Sequence, residues 1–196
     1  ADQMKHGDLY KLRMHWDGGE GERIPAYATR VVQDEATKIF SAQVWDVAPY
    51  QFQVKKFKPN TQPLLIYECH IGMGQDAEKV GTYEEFRTNV LPRVAADGYN
   101  AIQIMAIQEH PYYGSFGYHV SSFFAASSRF GTPDDLKRLI DEAHAKGLKV
   151  VMDMIFNHCG DRHPWMSDAP SADWFNNPGY GLQTSYKLTP VIDPYA

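Results

Sequence analysis

Polar and ionisable side chains cluster at the ends of three strongly apolar segments of the sequence. In α/β proteins, functional groups gather at the carboxyl ends of parallel strands, because the loops there vary over a rigid scaffold. We therefore expect a candidate site where these three segments end. The clusters are Glu68-Cys69-His70, then Glu109-His110 through Tyr118-His119, and finally Asp153 with Asn157-His158.

Two of these clusters contain pairs that could perform nucleophilic or acid–base chemistry. Cys69 and His70 form a thiol–imidazole pair in sequence, but adjacent residues on a strand point to opposite faces and could not act together. Glu109 and His110 could serve as an acid and a base. For this second pair we favour structural hydrogen bonds at the rim of a site.

His158, Cys159 and His163 could suggest a bound metal ion. Their spacing matches no standard zinc pattern, so structural roles are favoured for all three side chains. We accordingly predict no cofactor for the chain.

The three apolar segments have the character of buried parallel strands. They cover 64–71, 101–107 and 148–156, and the third carries Asp153 in its interior. A long aromatic loop is predicted for 108–129. Ionisable side chains and loops thus follow the carboxyl ends of the predicted strands, where α/β proteins have their functional sites.

Helix signals lie between the predicted strands. Thr82 followed by Glu85 is a capping box that opens a helix over 82–96. Thr132-Pro133 opens a second helix, which ends near Lys146-Gly147. Alternation of strand and helix predicts a parallel sheet, either an open doubly wound sheet or the start of a barrel.

The first part of the sequence has a different pattern, typical of an antiparallel sandwich. Short β segments are separated by turn residues such as those at 17–21, and two prolines within 57–63 interrupt any ladder, which places a boundary near residue 62. After residue 158 the chain has no clear period and is predicted to form a long loop. The predicted β segments are 9–16, 27–33, 39–46 and 51–57.

Composition narrows the class of partner. The formal charge is −5 and there is no Lys/Arg-rich block, so a nucleic-acid partner is not expected. Twelve Tyr and four Trp suit a neutral sugar, which aromatic faces bind. The sequence lacks an apolar run of about 18 residues, so we expect no membrane span. Residues 1–10 are polar and lack the apolar region of a signal peptide, so we expect none. Two cysteines are too few for a disulfide framework and favour the cytoplasm.

Several segments resemble one known family. Asp153-Met-Ile-Phe-Asn157-His158 looks like the first signature of the α-amylase superfamily, glycoside hydrolase family 13, in which an Asp is followed after three residues by Asn-His. Five further segments, in order and at matching spacing, closely resemble branching enzymes of the eukaryotic type, which make α-1,6 branches in 1,4-α-glucans. They begin at Tyr67, Val80, Val90, Tyr99 and Ser115.

This resemblance implies a fold and a domain plan. The fold class is α/β, with the N-terminal part of a (β/α)8 TIM barrel, about three strands, preceded by part of an antiparallel β-sandwich. Residues 1–62 would form the partial sandwich, similar to a carbohydrate-binding module. Residues 63–158 would form barrel strands one to three, and 159–196 the loop after strand three.

The resemblance also implies roles in binding a sugar. Tyr118 would stack on the sugar at the cleavage subsite, and His158 would hydrogen-bond an outer hydroxyl. Asp153 would orient neighbouring polar groups, while Asn157 would position the loop or, as in some amylases, bind calcium. From local sequence alone, packing for Tyr118 and hydrogen bonds to loop amides for Asp153 remain the alternatives.

In this family, retaining cleavage needs a carboxylate nucleophile and a protonated Glu, which arise from later strands of the barrel. We therefore expect no catalytic residue within the chain and expect the missing barrel half to be required for activity. The implied substrates are α-glucans: glycogen, starch and maltooligosaccharides.

Two alternatives remain open. Residues 156–160, followed by His163-Pro-Trp-Met and Asp173-Trp-Phe-Asn, look more like neopullulanases and cyclomaltodextrinases, which hydrolyse α-glucans. The second alternative is a non-catalytic glucan-binding fragment or a chimera. The aromatic residues after the third strand could form a sugar platform or merely hold a loop in place; they are Trp165, Trp174, Phe175 and Tyr180.

The chain expressed alone is expected to aggregate, fold poorly or need a complementing segment. Three strands cannot close an eight-stranded barrel, which takes about 250 residues, and the third strand would present an unpaired apolar edge. Size-exclusion chromatography combined with thermal unfolding measures this, and a cooperative melt from a monomer would contradict it.

Overall fold

A computed structural model describes residues 3–160 and 163–165. The described residues divide into two compact units, each built from separate stretches of chain. The first unit contains the described parts of 1–47, 108–127 and 154–196, and the second contains 48–107 and 128–153. The domain plan of 1–62, 63–158 and 159–196 stays a prediction.

Ten strands and three α-helices form the regular structure of the described residues. The strands are β1 (Leu9–Tyr10), β2 (Leu12–Trp16), β3 (Gly19–Arg23), β4 (Val31–Gln33), β5 (Phe40–Gln43), β6 (Ile66–Cys69), β7 (Ala101–Ile104), β8 (Gln108–Glu109), β9 (Ser122–Ala126) and β10 (Lys149–Met152). The helices are α1 (Tyr83–Glu85), α2 (Leu91–Ala96) and α3 (Pro133–Ala145), with a π-helical turn at Phe86–Val90 between the first two.

The second unit is built on a parallel sheet in which β7 lies between β6 and β10. Ile104 of β7 pairs with Cys69 on one side and with Met152 on the other, so the three strands end at the same level. Ile102 and Ile104 are fully buried. This is the parallel arrangement that the strand–helix alternation predicts.

Both predicted capping boxes are present. The Thr82 hydroxyl accepts a hydrogen bond from the Glu85 N–H at 3.1 Å, and the Glu85 carboxylate accepts one from the Thr82 N–H at 3.0 Å. Thr132 and Asp135 make the same reciprocal pair at the start of α3. Each box satisfies two N–H groups that a helix start leaves without an intrahelical partner, which fixes where the helices begin.

The strands of the first unit that precede residue 47 pair antiparallel, as the pattern of that part of the sequence predicts. β5 lies between β1 and β4, and β2 pairs with β3 through a two-residue turn at Asp17-Gly18. Gly18, the second residue of this turn, has φ +85, a conformation that glycine adopts without a Cβ clash. A small apolar core joins the strands; its buried residues are Ala28, Val31, Ala42 and Ala125.

The predicted loop over 108–129 is partly wrong, because it contains the antiparallel hairpin of β8 and β9, with an irregular register between Gln108 and Glu109. The third parallel strand is also shorter than predicted. β10 ends at Met152, where its partner β7 ends, so Asp153 follows the strand and does not lie in its interior.

The predicted strand over 51–57 is wrong as well. Its backbone is bound by a helix side chain: the Asp141 carboxylate of α3 accepts hydrogen bonds from the N–H groups of Gln53 and Val54 at 2.9 and 3.0 Å. The Tyr50 hydroxyl donates to the same carboxylate at 3.1 Å. Asp141 is only 5% exposed, and it replaces the ladder partner that a strand would need.

Within the described part of the chain, no helix has the length and apolar character needed to cross a membrane.

Replacing Asp141 by Asn should destabilise the protein by about 2 kcal/mol, because an amide offers one acceptor oxygen to three donors. Burial alone would raise the pKa of Asp141, but the N–H groups of Gln53 and Val54 and the Tyr50 hydroxyl outweigh it and lower the pKa. Since the folded pKa is depressed, this stabilisation is present above pH about 4 and is lost as the pH falls through the folded value.

Denaturant unfolding of the wild type and Asp141→Asn from pH 7 to pH 2 measures both effects. The two stabilities should converge at low pH. The matched control Asp76→Asn, at an exposed acidic residue, should stay within about 0.5 kcal/mol of wild type at pH 7. Equal destabilisation at all pH values would show that the charge on Asp141 is not what holds the segment.

Candidate functional site

Two segments of the first unit, 108–127 and 154–160, are joined by a row of hydrogen bonds. The Ile155 N–H donates to the Gln108 side chain at 2.7 Å, and the Gly160 N–H donates to the Val120 carbonyl at 2.8 Å. Between them, His158 Nε2 lies 2.7 Å from the Tyr118 carbonyl oxygen. We call this row of three contacts the seam. It brings His158 next to the backbone of Tyr118, while the sugar-binding roles of these two residues stay a prediction.

A strained turn precedes Tyr118. Phe116 has φ +55 and Gly117 has φ +96, so two successive residues are in left-handed geometry. The Tyr118 N–H then donates to the Ser115 carbonyl at 3.0 Å, which closes the turn. A bulky residue at positive φ costs on the order of 1–3 kcal/mol and persists where its surroundings enforce it, often at functional sites.

The contact of His158 determines which ring nitrogen can meet a ligand. A carbonyl can only accept, so Nε2 carries the proton and donates to Tyr118. In the neutral ring Nδ1 is then the acceptor, and the Asn157 side-chain nitrogen lies 3.5 Å from it. Asn157 and His158 thus place two polar side chains beside Tyr118.

Asp153 belongs to the second unit. Its N–H donates to the Ile104 carbonyl at 3.0 Å, which continues the parallel pairing one step past β10. The side chain is half-buried. The structure therefore brings Tyr118, Asn157 and His158 together within one unit, and their common site with Asp153 stays a prediction.

Glu109 and His110 are buried and hydrogen-bonded. His110 Nδ1 lies 2.8 Å from the Gln108 carbonyl oxygen, and the His110 N–H donates to the Glu109 carboxylate at 3.1 Å. The Ser127 hydroxyl also reaches that carboxylate, at 3.4 Å. These contacts favour the structural interpretation of the pair, although burial places it inside the unit and not at an exposed rim.

Cys159 and His163 are buried next to the seam. Burial raises the pKa of the Cys159 thiol to about 12 and lowers the pKa of His163 to about 4, so both side chains are neutral at pH 7. Burial, with a smaller contribution from Glu68, likewise raises the pKa of Cys69 to about 12. Among the residues that the structure describes, no three His, Cys, Asp or Glu side chains are arranged to hold a metal ion.

Trp165, the one aromatic candidate after strand three that lies within the described residues, is part of a ring cluster. Phe123 of β9 has its ring centroid 4.7 Å from that of His163 and 5.5 Å from that of Trp165. Trp165 therefore packs against neighbouring rings, as a residue that holds a loop in place would. The sequence-based aromatic candidates Trp174, Phe175 and Tyr180 lie outside the described residues.

Sequence reasoning missed Gln108 and Phe123 as parts of this region. Gln108 ends a long apolar run, and a polar side chain in such a position must find buried partners. Phe123 follows the β-period of β9, but a segment interpreted as a loop gives no reason to look for that period. Both omissions come from treating 108–129 as a single loop.

Comparison with known proteins places these features in context. Residues 88–189 match the family model described as the catalytic domain of alpha amylase. The 1,4-alpha-glucan-branching enzyme of Aspergillus oryzae is 47% identical over 163 residues, which cover 81% of this chain and 24% of that protein. The chloroplastic/amyloplastic 1,4-alpha-glucan-branching enzyme 2-2 of Arabidopsis thaliana is 48% identical over 157 residues, 79% of this chain and 20% of that protein. The chain thus spans a quarter or less of the length of these curated relatives.

A solved structure supports the fold. The crystal structure of an α-amylase-type protein from Salmonella typhimurium superposes with a TM-score of 0.74 at 25% identity, over 93% of this chain and 30% of that one. With the parallel sheet of β6, β7 and β10, this gives an α/β fold of the TIM-barrel type.

Replacing Gly160 by Ala should open the seam. A Cβ at this position would lie 2.8 Å from the His119 carbonyl oxygen, so the two segments must separate, at a cost of about 2 kcal/mol. Hydrogen exchange of the Gly160 amide, which is bound to Val120, should accelerate.

Gly98→Ala is the matched control. Gly98 has φ +88 and open space around its Cβ position, so the substitution imposes backbone strain of about 1 kcal/mol without a clash. In Gly98→Ala, the Gly160 amide should exchange with solvent as slowly as in the wild type. Slow exchange at Gly160 in Gly160→Ala as well would show that the seam does not depend on this close approach.

Proposed function

Since the chain belongs to the α-amylase catalytic-domain family, we propose that it forms part of a 1,4-α-glucan branching enzyme. Such an enzyme cuts an α-1,4 glucan and transfers the released segment to a 6-hydroxyl, which creates an α-1,6 branch. The observation that carries the proposal is the identity of about 47% to branching enzymes over about four fifths of the chain. The substrates are α-glucans: glycogen, starch and maltooligosaccharides.

The geometry of the first unit supports one wall of a sugar-binding site. Tyr118 offers an aromatic face for the apolar C–H groups of a glucose ring. In this proposal a sugar hydroxyl would take the place of the Asn157 amide at His158 Nδ1, because Nε2 is committed to the Tyr118 carbonyl. Asn157 adds a neutral amide to the same wall, and in this proposal Asp153 orients polar groups at the end of β10. The aromatic ring of Tyr118 and the Asn157 amide suit an uncharged polysaccharide.

Bond cleavage in this proposal depends on other residues. A retaining mechanism needs two carboxyl groups about 5–5.5 Å apart, one as nucleophile and one as general acid. We assign neither role to Tyr118, Asn157, His158 or Asp153. Further strands would pair with the edges of the parallel sheet to complete a (β/α)8 barrel, and the antiparallel strands of the first unit would belong to a partial sandwich.

The same proposal includes hypotheses about the cofactor and the cellular location. No cofactor is needed for this chemistry, and Asn157 is the residue that would contribute to a calcium site if one forms. The cytoplasm is the proposed location, although the Arabidopsis relative carries a plastid name.

Product analysis with the protein expressed from its complete reading frame tests this function. Incubated with amylose, the wild type should form new α-1,6 linkages, detected by NMR or by isoamylase debranching. New reducing ends without branches would replace the proposal by the hydrolase of the neopullulanase or cyclomaltodextrinase kind. If neither branches nor new reducing ends form but maltoheptaose binds, the hypothesis of a non-catalytic glucan-binding fragment replaces the proposal.

Replacing Tyr118 by Ala should lower kcat/KM on amylose by about 10- to 100-fold, because a stacking face for the sugar ring is lost. Tyr27→Ala is the matched control, since Tyr27 is 78% exposed and packs on Phe124, away from the wall residues in sequence. The control should keep wild-type activity. An unchanged kcat/KM in Tyr118→Ala would remove Tyr118 from the binding site.

A further inference from the structure

The Gln108 side chain connects two segments of the first unit through both ends of its amide. Its Oε1 accepts a hydrogen bond from the Ile155 N–H at 2.7 Å, and its Nε2 donates to the Phe123 carbonyl at 3.1 Å. Gln108 is only 2% exposed, so water cannot readily replace either contact.

The two partners of Gln108 flank the proposed sugar wall. Phe123 lies on β9, directly after the stretch that carries Tyr118, and Ile155 lies two residues before Asn157. Gln108 itself lies on β8, which pairs with β9. One side chain therefore fixes the start of the Tyr118 loop, the strand that ends it, and the segment that carries Asn157 and His158.

The two backbone partners of Gln108 restrict which side chain can bridge them. Ile155 offers a donor and Phe123 an acceptor, so the bridging side chain must accept at one end and donate at the other while carrying no charge. A Gln amide meets this requirement. Met would fill a similar volume with neither hydrogen bond, and an ionised Glu would accept from Ile155 but repel the Phe123 carbonyl.

We propose that Gln108 is a positioning residue that sets the separation between Tyr118 and the Asn157–His158 pair, and thereby the affinity of the wall for α-glucan. This inference rests on the proposed function, because it assigns to the wall a glucan ligand. Gln108 touches no sugar in the proposal; it acts by holding the seam closed at the Ile155 end, while the contacts of His158 and Gly160 continue it.

The variants Gln108→Met and Gln108→Glu test the role in the protein expressed from its complete reading frame. Gln108→Met should raise the KM for amylose and the Kd for maltoheptaose about tenfold, with kcat changed less than threefold. Gln103→Met is the matched control: the Gln103 side chain lies in the second unit and donates to the Glu68 carboxylate at 3.1 Å. It should leave KM and Kd at wild-type values.

The pH profile of Gln108→Glu separates positioning from general destabilisation. Burial raises the pKa of a carboxyl group, and a protonated carboxyl group can both accept from Ile155 and donate to Phe123. The affinity of Gln108→Glu should thus recover toward the wild-type value as the pH falls from 8 to 5, whereas that of Gln108→Met should not. Each variant is compared with the wild type at the same pH, because Glu109, His110, His158 and His163 also lie in the described segments of this unit.

The outcomes are distinguishable. Kd and KM within twofold of wild type in both Gln108 variants would overturn the positioning role, even if the wild type makes branches. A Gln108→Glu deficit that does not change with pH would overturn it too. If the wild type makes no branches, the proposed function fails, and maltoheptaose binding by the same variants still decides whether Gln108 positions the wall. Should Gln108→Met fail to fold, Gln108→Glu at pH 5 provides the deciding measurement.

Discussion

The pairing of β7 with a parallel strand on each side is the constraint on which the second unit depends. Because Ile104 is opposite both Cys69 and Met152, the three strands end together, and the chain leaves the sheet at one level after each of them. Asp153 follows at once, with its N–H still bound to Ile104. The sheet therefore fixes where a functional side chain can emerge, whatever the following loop does.

In the first unit, position is determined by the hydrogen bonds of the seam. Backbone groups, one amide side chain and one imidazole form the seam, and the buried His163 and Cys159 beside it are uncharged at pH 7. Hydrogen bonds are directional, so they can fix the spacing between an aromatic ring and a ring nitrogen, as the binding of a sugar ring with its hydroxyl groups requires. That property suits a polysaccharide, which has many hydroxyl groups and no charge.

The features that sequence predicted well are local. Thr82 with Glu85, and Thr132 with Asp135, are separated by three residues, and their capping boxes follow from the helix geometry alone. The parallel strands follow from apolar runs, whereas the sugar-binding roles of Tyr118 and His158 come from a family resemblance and stay a prediction. The segment at 51–57 was misassigned because its hydrogen-bond partner, Asp141, is nearly 90 residues away. Gln108 is missed when 108–129 is interpreted as a single loop, and its contact with Ile155, 47 positions away, follows no periodic pattern that would correct this.

The two cysteines have a practical consequence. Cys69 lies in the second unit and Cys159 in the first, and burial keeps both thiols protonated. A thiol reacts with alkylating reagents through its thiolate, so modification must wait until the surrounding structure opens. Each unit therefore carries one buried thiol. The rates at which the two sulfur atoms are alkylated report local opening of the two units separately.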